Sequence, residues 1–125
     1  MGAWGVKVLQ NDYACDDLSI FLKSDPTRRF VYSLFSGDEH QVLLGVAIVD
    51  ASINGVDESL LGGWGDYPKE SKQFFKGLKS DPLTDMVSEA VGNLKRLINY
   101  GAEGWRDPEK RMEIYYAYLN RLTGA

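Results

Sequence analysis

The sequence predicts an all-α protein, a compact bundle of about five or six helices with an extended N-terminal arm and a Gly-rich loop. Apolar residues recur at helical spacing through most of the 125 residues. Asp is followed by Pro at Asp25-Pro26, Asp81-Pro82 and Asp107-Pro108, and each pair can open a helix. The Asp side chain caps free N–H groups while Pro, whose missing N–H costs nothing in the first turn, presets φ. A chain of this length closes one hydrophobic core and is too short for two, so a single domain over residues 1–125 is expected.

In order along the chain, residues 1–10 place small residues around Trp4 and then alternate only briefly through Val6, Lys7, Val8 and Leu9, an arm that buries its tryptophan. Asn11 and Asp12 can cap a first helix over residues 13–23, which carries Tyr13, Ala14, Asp17, Leu18, Phe21 and Leu22 at helical spacing. The three Asp-Pro pairs predict helices over residues 26–35, 82–100 and 108–122, with Gly37, Gly101 and Gly124 as left-handed stops.

Asp38 and Glu39 place negative charge at a further helix start, ahead of the apolar run Val42, Leu43, Val46, Ala47, Val49 and Ile53. The β-branched content of residues 42–49 also suits a strand. A central buried helix of about 15 residues ending at Asn54-Gly55 fits the flanking signals better. Gly55, Gly62, Gly63 and Gly65 around Trp64 predict a packed loop over residues 55–67. A short helix over residues 68–78 then sets Phe74, Phe75 and Leu78 on one side and Lys69, Lys72, Lys76 and Lys79 mostly on the other. In the last helix Met112, Tyr115, Tyr116, Leu119 and Leu122 form the predicted inner stripe, which Tyr118 misses.

Composition removes several function classes. The longest apolar stretch, residues 42–49, is far short of the roughly 18 residues that a membrane-spanning helix needs. The residues after Met1 lack the basic-then-apolar layout of a secretory signal, so a cytoplasmic location is the default expectation. Cys15 is the single cysteine and His40 the single histidine; a cysteine–histidine nucleophilic pair has no recognisable third orienting group. Residues 1–66 hold ten acids and four bases, net −6, and residues 67–125 hold eight and ten, net +2. The acidic first half repels phosphate backbones, which disfavours direct nucleic-acid binding.

Two acidic groups carry candidate chemistry. Asp12, Asp16 and Asp17 could share a divalent metal or act as an acid/base pair in a hydrolase, although capping and the helix dipole explain them more simply. Asp38, Glu39, Asp50, Asp57, Glu58 and Asp66 flank the central helix and loop; a solvated face is the plain reading, and a docking face for a basic partner the functional one. Trp64 and Tyr67 are the candidate aromatic anchors of such an interface. The Gly-rich segments lack phosphate-loop spacing and no Ser-His-Asp or G-x-S-x-G pattern occurs, so no enzyme, cofactor or resident metal is expected.

Met1-Gly2-Ala3-Trp4-Gly5, followed by Asn11-Asp12, Ala14 and Asp17-Leu18, resembles the opening of a bacterial family of domains of unknown function, the 4259 family. Its members open with a Gly-Ala-Trp-Gly arm, an Asn-Asp turn and an Asp-Trp-Leu element; here Asp16-Asp17 stands where Asp-Trp is usual. The likeness extends loosely through residues 43–54, the Gly-rich segment and the late helix with Trp105. The resemblance implies a small helical domain without carrying over any catalytic residue. Some small acidic domains of this sort look like immunity proteins encoded beside toxins. The expectation is thus a protein-binding, immunity- or antitoxin-like chain, monomeric or weakly dimeric, that occludes a toxin domain such as a basic nuclease.

Overall fold

A computed structural model describes residues 7–9, 27–62, 68–105 and 107–124. The described residues form six α-helices and no strand: α1 (Thr27–Phe35), α2 (Glu39–Asn54), α3 (Glu58–Leu61), α4 (Pro68–Gly77), α5 (Val87–Tyr100) and α6 (Pro108–Thr123). Two 3₁₀ turns, Leu78–Ser80 and Thr84–Met86, join α4 to α5. The expected all-α bundle is what the chain adopts. The helix expected over residues 13–23, the Asp25-Pro26 pair, Trp4 and the centre of the Gly-rich loop lie outside the described residues.

The hub is α2, and its sequence explains why. From Val42 to Ser52 every residue is buried, because the helix is apolar on all sides and can only be satisfied by neighbours on all sides. It packs against α1, α5, α6 and the turn Leu78–Ser80, with α4 lying at its edge. The β-branched run thus resolves as helix. At its start the Gln41 side chain accepts the Asp38 backbone N–H at 2.9 Å, half of a capping box.

Gly37 does not have the left-handed conformation expected of it; positive φ occurs among described glycines at Gly55, Gly62, Gly101 and Gly124. What Gly37 provides is room, since a Cβ there would collide with the folded-back Gln41 side chain. Of the three Asp-Pro pairs, Asp107-Pro108 acts as expected: Asp107 accepts the Lys110 N–H at 3.3 Å and Pro108 opens α6. Asp81-Pro82 does not open a helix. Asp81 is drawn instead to Arg28 at 2.9 Å, the buried Ser52 hydroxyl accepts the Leu83 N–H at 2.9 Å, and the α-helix starts at Val87. Within residues 55–67, expected to be loop, Asp57 accepts the Ser59 N–H at 2.9 Å and starts the one-turn helix α3. Of the arm, Val8 and Leu9 are described and buried, and their N–H groups donate to Leu60 and Leu61 carbonyls at 3.2 and 2.7 Å.

The last helix departs from expectation at two tyrosines. Arg111, Ile114, Tyr115 and Tyr118 face inward, while Tyr116 is 49% exposed. Met112, Tyr115, Leu119 and Leu122 of the expected stripe do pack on the core; counting apolar residues alone misplaced Tyr116 and Tyr118, because an arginine holds one of the inner positions.

Candidate functional site

The predicted acidic residues divide between the two ends of α2. This helix is about 24 Å long, so Asp38 and Glu39 at its start stand well apart from Asp57 and Glu58 beyond its end. Asp38 and Glu58 are exposed, Asp57 partly so. Asp66, Trp64 and Tyr67 lie outside the described residues, as do Asp12, Asp16 and Asp17.

Glu39 is half-buried and fully engaged. Its Oε1 accepts from Arg111 Nη2 at 2.8 Å and from the Tyr115 hydroxyl at 2.5 Å, and its Oε2 accepts from the Trp105 indole N–H at 2.8 Å. The guanidinium of Arg111, fully buried, lies 3.7 Å over the Trp105 ring and 5.3 Å from that of Tyr115, a cation–π arrangement that offsets its loss of water. Burial pushes the Glu39 carboxyl up, but the Tyr115 hydrogen bond, the Arg111 charge and the indole N–H together hold it below the usual carboxylate range. Burial beside this carboxylate raises the Tyr115 phenol well above its ordinary value.

Asp50 does not lie on an open acidic surface: it is 2% exposed. Arg121 Nε donates to it at 2.8 Å and Asn54 at 2.9 Å, while Arg121 also donates to the Gly55 carbonyl at 2.7 Å and stands 3.6 Å from Asp57. Burial outweighs these partners and leaves the Asp50 carboxyl raised; the Ser59 hydroxyl holds Asp57 low. Asp50 and Glu39 are eleven residues apart on α2, close to three full turns, so both face α6. The two arginines therefore latch parallel helices at both ends, and much of the negative charge read as a docking face is consumed inside the fold.

A different face carries exposed charge beside an exposed aromatic. Glu109, Glu113, Tyr116 and Asn120 are all exposed and recur at helical spacing along the outer side of α6. Sequence reasoning missed it by placing Tyr116 inside; the signal lay in the acids three and seven residues before it. Among the described residues no group of three or more potential metal-binding side chains occurs, and no helix is long and apolar enough to cross a membrane. Comparison with models of known families, with curated proteins and with solved structures returned no match.

Proposed function

We propose that this chain is a binding protein of the immunity or antitoxin type, which neutralises a basic toxin domain by direct one-to-one contact. The observation that carries the reading is the outer face of α6, where Tyr116 is 49% exposed beside Glu109 and Glu113. A large amphipathic ring beside exposed carboxylates suits a basic partner: the ring supplies buried contact area, and the acids steer encounter. Net charge of −4 and the resemblance of the first 18 residues to the 4259 family support the same reading. The outward carboxylates of Asp38 and Glu58, at the two ends of α2, extend the acidic surface, with Asp57, Asp66, Trp64 and Tyr67 as further contacts. Glu39 and Asp50 serve it indirectly by holding α6 in place.

The test is capture from host lysate with the wild-type chain and with a Glu109→Lys/Glu113→Lys/Tyr116→Ala variant. One basic protein recovered in equal amount by wild type and lost by the folded variant supports the reading. Recovery undiminished in the variant removes the α6 face. No stoichiometric partner, together with Mg²⁺ or Mn²⁺ binding by calorimetry, shifts weight to a hydrolase built on Asp12, Asp16 and Asp17.

A further inference from the structure

On the described part of the chain, arginines Arg28, Arg111 and Arg121 are tied to carboxylates of segments far away in sequence. The lysines of α4 are used differently. Lys69, Lys72 and Lys76 are exposed along one side of the helix, while Ser71 and Phe75 are buried against the fold. None has an acid three or four residues away on α4; Lys72 instead has Lys69 and Lys76 at those spacings. Like charges so placed repel, and Lys69, in the first turn, also opposes the helix dipole, whereas Lys76, in the last turn, complements it. Helix stability therefore does not account for Lys69 and Lys72, and Glu70, the one acid of α4, projects about 100° away from Lys69.

We propose that the outer face of α4 is a second interaction surface, which receives an acidic segment of a partner protein. It is independent of the acidic α6 face and of the function proposed for it. Three lysines within two helical turns match two or three carboxylates on a short peptide stretch. The aromatics Phe74 and Phe75 pack against each other on the other side of α4, so the row offers no exposed ring on which bases would stack. Its neighbours Glu70 and Gln73 are polar, so it offers no apolar side chain to enter a bilayer.

The experiment titrates the 125-residue chain into a fluorescent peptide of about ten glutamates, with an oligothymidylate and phosphatidylserine vesicles as competing probes. Two variants carry the same loss of charge: Lys69→Gln/Lys72→Gln/Lys76→Gln on the row, and Arg29→Gln/Lys95→Gln/Lys110→Gln at exposed cations elsewhere. Circular dichroism confirms that both are folded. The expected result is peptide binding that weakens about tenfold or more between about 50 and about 300 mM salt, falls by a similar factor in the α4 variant, and persists in the other. Equal loss in both variants, no peptide binding, or tighter binding of oligonucleotide or vesicles overturns the proposal.

Discussion

Arg111 of α6 and Glu39 of α2, separated by 72 residues in sequence, meet at 2.8 Å with the arginine fully buried. A buried guanidinium is tolerable only when its charge and donors are matched, and here a carboxylate and two aromatic rings match it. Truncating Arg111→Ala strands Glu39 and opens a cavity beside Trp105, at a cost of about 3 kcal/mol. Arg111→Lys does not restore this, because an ammonium has neither the planar fork nor the stacking face. Urea denaturation measures both; a loss below about 1 kcal/mol for the alanine variant removes the latch as a source of stability.

The same carboxylate sets a pH dependence. Glu39 titrates below its ordinary value of about 4.5 in the folded chain, so the unfolded chain binds its proton more readily. Its contribution is fully present above about pH 4.5 and is lost as pH falls through the lower folded value. The stability difference between wild type and Glu39→Gln should be constant from neutral pH down to about pH 5 and shrink below it. A difference that grows on acidification reverses the assigned sign.

Two glycine substitutions should have opposite signs. At Gly45 in α2 a Cβ would sit 2.8 Å from a ring carbon of buried Phe35. Overpacking there costs about 1–3 kcal/mol and outweighs the roughly 1 kcal/mol that Ala gains over Gly in a helix. At Gly92 in α5 nothing lies within 4 Å of the added carbon, so Gly92→Ala should stabilise by about 0.5–1 kcal/mol. Thermal melts of the pair test this, and stabilisation by Gly45→Ala contradicts the packing.

Two buried tyrosines also divide. Tyr115 donates to Glu39, whereas the hydroxyl of Tyr118, 2% exposed, has no hydrogen-bond partner among the described residues, and burial raises its phenol far above the ordinary value. Tyr115→Phe should cost about 1.5–3 kcal/mol, the worth of a bond to a charged group, and Tyr118→Phe should be neutral or stabilising. Equal losses in the two variants would show that Tyr118 is satisfied.

How much of this was legible depends on range. Local signals carried the helices: the Asp107-Pro108 start, the Asn54-Gly55 end and the inward Phe75 and Leu78 follow from residues within a turn or two. The misreadings involve pairs far apart in sequence. Tyr116 and Tyr118 exchange places because Arg111 takes an inner position, which needs Glu39 to be known as its partner. Asp50 looks like surface charge until Arg121, 71 residues away, covers it. Asp81-Pro82 fails to open a helix because Arg28, 53 residues earlier, draws the aspartate to itself. Periodicity encodes none of these encounters.

The double latch between α2 and α6 has a consequence for synthesis. Glu39 and Asp50 leave the ribosome well before the arginines that neutralise them, and until α6 follows, the central helix presents two carboxylates without their guanidinium partners. The closing of the hub on its α6 side therefore awaits translation of residues 108–123. A chain that stops before them has α1 and α5 to pack on the hub but leaves one apolar, acidic flank of α2 open to water.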